Sequence, residues 1–179
     1  MNTIYFDNNA TTCVAPEVRD AMMPFFSDLY GNPSSMHAFG GQIAKHVAEA
    51  REKIAAFLNA EPSEIIFTSC GTESDNFALR GVSLAQRGRG KHIITTPIEH
   101  SAVVVTCQQL AEEFGYQVTY VEVDRQGMVD PDAVGRAITG ETTLISIMYA
   151  NNEVGTIEPI AEIGQIAREK GIPFHTDAV

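Results

Sequence analysis

The sequence predicts an α/β fold, a mostly parallel sheet with helices on both faces. Short β-branched runs recur along the 179 residues, and segments with helical periodicity separate them. Strands that alternate with helices in this way pair in parallel and carry helices over the sheet. No internal repeat, low-complexity stretch or linker interrupts the pattern.

The elements follow in order. Residues 16–26 read as a short helix with Pro16 in its first turn and Val18, Met22, Phe25 and Phe26 along one side. Gly31-Asn32-Pro33-Ser34-Ser35 is a loop by composition. A second helix is predicted over 41–58, where Ile43, Val47, Ala50, Ile54 and Phe57 step by fours and threes along one face. Ile65-Ile66-Phe67-Thr68 reads as a strand leading into a helix over 72–85. His92-Ile93-Ile94-Thr95-Thr96 is the second strand, followed by a helix with Val104, Cys107, Leu110, Ala111 and Phe114 inward, which Gly115 stops. Residues 118–123 form the third strand, and Asp130-Pro131 opens a short helix. Residues 143–149 form a buried fourth strand. Ile160, Ile163, Ile166 and Ala167 mark a helix ended by Lys170-Gly171, and Ile172-Pro173-Phe174-His175 is the fifth strand.

Composition narrows the function. The formal net charge is −11, with acidic residues spread along the chain, and such a surface repels nucleic-acid backbones. No run approaches the ~20 apolar residues of a membrane span, and the first residues lack the pattern of a secretory signal. Cys13, Cys70 and Cys107 stand far apart, with no His at metal-ligand spacing. The spacing argues against a disulfide framework and a metal site, and suits a reducing, cytoplasmic setting.

In parallel sheets of this kind, ligands sit beyond the carboxyl ends of the strands. Ser69-Cys70-Gly71-Thr72-Glu73-Ser74 follows the first strand. A glycine turn entering a helix presents backbone N–H groups to an anion, and it reads equally as a Thr N-cap with no ligand. Glu99-His100 follows the second strand, where His100 is either a capping or surface histidine or a catalyst. Asn151-Asn152-Glu153-Val154-Gly155 follows the fourth strand and reads by itself as a polar turn. Thr176-Asp177-Ala178 follows the fifth, and a carboxylate leaving a buried strand needs a donor or cation.

Taken together, these segments resemble the cysteine desulfurases, most closely the nitrogen-fixation type. With Asp7-Asn8-Asn9-Ala10-Thr11-Thr12 and the Gly31–Ser35 loop, they match in order and spacing along the whole chain. That family lies in the class V aminotransferase branch of fold-type-I pyridoxal-phosphate enzymes. The resemblance implies that 1–15 is an arm of a small domain and 16–179 an incomplete large cofactor-binding domain. It also implies pyridoxal 5'-phosphate as cofactor. Gly71 and Thr72 would hold its phosphate, and Asp177 its ring nitrogen. His100 would stack on the ring and act as acid or base, and Asn152 would reach the ring oxygen and the substrate carboxylate. The implied reaction takes L-cysteine to L-alanine in a homodimer, passing sulfur through an enzyme persulfide to an iron–sulfur scaffold protein. The family commonly has Ala where Gly71 stands.

The family's cofactor-binding lysine and persulfide cysteine fall downstream of Asp177, so the resemblance makes this chain an N-terminal part that is inactive alone. Lys45, Lys53, Lys91 and Lys170 read as solvated or helix-end residues, Cys70 as a small buried residue and Cys107 as inward-facing. A selenocysteine lyase or amine-group transferase of the same branch would share these cofactor residues. A non-catalytic dimerisation or scaffold-binding module would have no use for Asp177, His100 and Asn152 together.

Overall fold

The computed structural model describes residues 4–179, which divide into two compact units, one ending at Phe67 and the other Thr68–Val179. In the first unit the predicted helix over 16–26 is two helices, α1 (Pro16–Met22) and α2 (Pro24–Ser27). Pro24 has no N–H to continue the ladder, so the chain restarts there. Neither helix buries a residue, and Val18, Met22, Phe25 and Phe26 are exposed.

Helix α3 (Ala38–Leu58) begins earlier than the periodicity predicts, because His37 caps it: its Nδ1 accepts the Gly40 N–H at 3.2 Å. A Cβ at Gly40 would lie 2.6 Å from the Asn32 carbonyl oxygen, so glycine lets the 31–35 loop lie against the helix. Asn59, at φ 53°, ends the helix in the left-handed region. Of the predicted apolar stripe only Ile43 is buried, while Ile54 and Phe57 are exposed.

The predicted strand at Ile65–Thr68 is corrected by the structure. A 3₁₀ turn, Pro62–Glu64, leads into backbone with no ladder partner among the described residues. Instead Arg51 donates to the Ile65 carbonyl, and its guanidinium lies 4.7 Å over the Phe67 ring.

The second unit is the sheet. Strands β1 (His92–Thr95), β2 (Gln117–Tyr120), β3 (Thr142–Ser146) and β4 (Phe174–His175) pair in parallel in the order β2-β1-β3-β4. Four strands are therefore found among the described residues where the sequence predicts five. Helices α4 (Gly71–Ala85) and α5 (Ser101–Phe114) share one apolar core, and α6 (Pro131–Ala137) and α7 (Ile160–Glu169) share another. Strand parity divides the two. Ile93 and Leu144 point to the α4–α5 core, and Ile94 and Ile145 to the α6–α7 core. Helices thus cover both faces, as the alternation predicts.

Two details shift. Helix α5 buries Ala102, Val103, Thr106, Cys107 and Leu110, a face rotated from the predicted one, and leaves Phe114 exposed. Strand β4 is shorter than predicted because Pro173 donates nothing, although its carbonyl accepts the Ile145 N–H at 3.1 Å. The caps hold: Asp130 Oδ1 accepts the Asp132 N–H at 3.0 Å, and Gly115 ends α5 at φ 72°.

Candidate active site

Each predicted site residue lies at a strand's carboxyl end or a helix's amino end, and β1 and β3 are adjacent strands whose connections leave in opposite directions along the sheet. That reversal opens a crevice. An open cleft of about 1000 Å³ lies there, lined by Glu99 and His100 after β1, Asp124–Gly127, and Asn151 and Asn152 after β3.

His100 caps α5 by accepting the Ala102 N–H at Nδ1, 3.2 Å away, so its neutral ring carries hydrogen on Nε2. The capping role is therefore real, and it leaves one ring nitrogen for other work. The two asparagines separate clearly. Asn151 is buried; its Oδ1 accepts the Glu153 and Val154 N–H groups, both at 2.9 Å, and its Nδ2 donates to the Ile98 carbonyl. That ties the loop after β3 to the loop after β1. Asn152 is exposed and lines the cleft.

Asp177 continues past β4, with the Tyr149 N–H donating to its carbonyl at 2.7 Å. Its Oδ1 accepts the Val179 N–H at 3.0 Å. Parity puts its side chain on the face of His175, toward α4. Asp75 of α4 is 3% exposed, and its carboxyl is pushed up to about 6 by burial first and by the charge of Asp177 second, with His100 opposing. Asp75, Asp177 and His100 thus share one electrostatic neighbourhood.

The start of α4 suits an anion. Its cap residue Cys70 supplies no side-chain bond, which overturns the Thr-cap alternative, and the first-turn N–H groups lie outside the helix ladder. The only carboxylate of that turn is turned back: Glu73 Oε2 accepts the Ser69 N–H and hydroxyl at 2.6 and 2.7 Å, bonds that hold Glu73 below its usual range. A Cβ at Gly71 would lie 2.6 Å from Val179 Cγ2, so the backbone here is closely approached. Together, these donors, the carboxylate of Asp177 and the ring of His100 fit a phosphorylated heteroaromatic cofactor.

Of the three buried carboxyls among the described residues, Asp75, Glu99 and Glu158, none carries a role in the sequence reading, and two face Asp177. Glu99 Oε1 accepts the Thr96 hydroxyl at 2.7 Å and the Met148 N–H at 3.1 Å, while its buried Oε2 has no partner among the described residues. Burial pushes Glu99 up to about 7 against those two hydrogen bonds, and Asp177 and Glu158 add to the rise. Asp75 is the other, and its signal was present: it stands one helical turn after Gly71, a polar residue inside a covered helix.

The cysteines and lysines do other work. Cys107 is fully buried, and its thiol is pushed up to about 12 by burial and by Glu99. Cys70 is exposed, not buried as predicted, because it stands at the cap position of α4, ahead of the helix's buried face. Lys91 donates to the Phe114 carbonyl at 2.7 Å, at the end of α5. Among the described residues no cluster of His, Cys, Asp and Glu could hold a metal, and no helix is long and apolar enough to cross a membrane.

A parallel sheet with helices over both faces makes this an α/β protein. The chain belongs to the aminotransferase class-V family, whose sequence profile matches residues 4–179. It is 57% identical over 179 residues to a Trichormus azollae protein named cysteine desulfurase. It is 52% identical over 176 residues to a Clostridium botulinum (strain Kyoto / Type A2) protein named cysteine desulfurase IscS. These alignments take in 100% and 98% of this chain but 44% of either relative, so the chain spans under half of their length. A solved NifS-like protein superimposes with a TM-score of 0.94 at 46% identity, over 98% of this chain and 49% of that one. A structure described as SspA in complex with cysteine gives 0.93 at 43%, over 98% and 50%.

Proposed function

We propose that the natural protein carrying this chain is a pyridoxal-phosphate-dependent cysteine desulfurase, taking L-cysteine to L-alanine and passing the sulfur on for iron–sulfur cluster assembly. The observation that carries this reading is that His100 lines a cleft with Asn152 and shares the electrostatic surroundings of Asp75 with Asp177, while the start of α4 has no side-chain cap. The names of its relatives, and the cysteine named with one similar structure, agree with it.

In this reading the first-turn N–H groups of Gly71 and Thr72 hold the phosphate dianion, which the helix dipole favours. The cofactor supplies an electron sink for the substrate's α-carbon. Asp177 holds a proton at the ring nitrogen by offering it a carboxylate. His100 would stack on the ring, and because its Nδ1 is committed to the Ala102 N–H, Nε2 is the atom left to move a proton. Asn152 would hold the ring oxygen and the substrate carboxylate as a donor. Residues 1–15, of which 1–3 lie outside the described residues, would be the arm of a small domain and 16–179 part of the large one, in a cytoplasmic homodimer that delivers sulfur to a scaffold protein.

The test uses the natural protein loaded with pyridoxal phosphate and a thiol reductant. L-cysteine is expected to yield alanine and sulfide, and Asp177→Ala to lose nearly all turnover. Retention of activity within a few-fold of wild type in Asp177→Ala would sink the assignment of Asp177.

A further inference from the structure

The polar groups under α4 that the proposed function leaves unused form a connected row. Ser146 and His175 are register partners on β3 and β4, and Ser146 Oγ lies 2.9 Å from His175 Nδ1. The other ring nitrogen, Nε2, lies 3.4 Å from Asp75 Oδ1. Asp177 is two residues beyond His175 and shares its face of the strand. The order Ser–His–Asp is that of a hydrolytic triad, but Ser146 is 0% exposed and no substrate can reach its hydroxyl. The row does something else.

Burial drives Asp75 and His175 toward their neutral forms. Asp75 rises to about 6, and burial lowers His175 while Asp177 holds it up. A buried carboxyl and a buried imidazole in contact are coupled, so a proton held between them belongs to the pair and to neither group alone. The Ser146 hydroxyl serves either arrangement, as donor to a bare Nδ1 or as acceptor from Nδ1–H. The charged groups facing this unit are Asp177 on its own strand segment and His100 at the head of α5. Glu99, after β1, faces Asp177.

We propose that Asp75 is a positioning residue that orients His175 and strengthens the negative field at the ring-nitrogen site that Asp177 serves. The Ser146–His175–Asp75 row is then the rigid backing of that site. This rests on Asp177 serving the ring nitrogen, as under Proposed function. An ionised Asp75 adds a second anion behind the first and favours a proton on the ring, and the Ser146 bond fixes the imidazole that faces Asp75.

The test follows the His175 titration by NMR in the natural protein freed of cofactor, with histidines labelled at Cε1. Asp75→Asn removes the facing anion, so the His175 midpoint is expected to fall by about half a pH unit or more, and Asp75→Glu to restore it. On adding pyridoxal phosphate, the pH midpoint of the bound cofactor's absorbance should fall in Asp75→Asn and recover in Asp75→Glu. Ser146→Ala keeps the anion but removes the Nδ1 partner, so its ring ¹⁵N shifts must report a changed tautomer balance even if Asp75→Asn folds poorly. An unmoved His175 midpoint in Asp75→Asn, or an unmoved tautomer balance in Ser146→Ala, overturns the proposal. If Asp177→Asn leaves cofactor uptake and spectrum untouched while Asp75→Asn still shifts His175, the coupling stands and the ring-nitrogen reading of Asp177 fails.

Discussion

Replacing Glu99 by Gln should abolish a pH dependence of stability that the wild-type fold carries. Glu99 is 8% exposed and pushed up to about 7 from its ordinary 4.5, chiefly by burial. A carboxyl raised in the fold binds its proton more tightly there than in the unfolded chain. Its stabilising contribution is therefore complete below about 4.5 and lost as pH rises through about 7. At 1.36 kcal/mol per pH unit, that interval is worth about 3 kcal/mol. Gln keeps the oxygen that accepts from Thr96 and Met148 but puts an amide where Oε2 has no partner, at a pH-independent cost of about 1–3 kcal/mol. Glu should therefore be the more stable at pH 5, and the gap should close or reverse by pH 8. Urea unfolding of both proteins, followed by circular dichroism from pH 5 to 8, measures this. Two stability curves that run parallel across that range would refute the reasoning.

Two further substitutions separate structural from chemical roles. Asn151→Ala loses one hydrogen bond that joins the loops after β1 and β3 and two within the latter loop, and should cost about 2–4 kcal/mol in unfolding experiments, whereas Asn152→Ala should leave the melting temperature within a degree or two. Gly115→Ala forces a side chain into the left-handed region at the end of α5, with open space around it, and should cost about 1 kcal/mol by the same measurement.

The sheet was legible in the sequence because its signals are local and redundant. Runs such as Ile93-Ile94 and Leu144-Ile145 supply one apolar residue to each face, and Asp130, Gly115 and Pro131 mark helix ends through their own backbone chemistry. Less legible was anything that depended on a partner. Ile65–Thr68 has strand propensity but no neighbouring strand among the described residues, and propensity cannot supply one. The stripe on α3 has the spacing of a buried face, yet Ile54 and Phe57 meet no cover. For α5, periodicity showed that one face is apolar without fixing which residue is its centre, since several neighbouring positions are apolar too. The strand-end residues could be placed because the loops follow recognisable strands. Asp75 carried only a local signal, a polar residue in a covered helix, while its importance comes from His175, about a hundred positions away in the chain.

The facing of Ser146 and His175 across adjacent strands fixes how this region can change by insertion and deletion. Register and parity together decide which core each residue of β3 and β4 enters. One residue added between Phe174 and Asp177 would turn Asp177 toward the α6–α7 core, with no substitution made anywhere. A residue added in the loop before Ile172 would lengthen a turn and leave every facing intact. Length variation among related chains should therefore collect outside 172–177, and a gap placed inside it by an alignment marks either a misalignment or a chain that has given up this site.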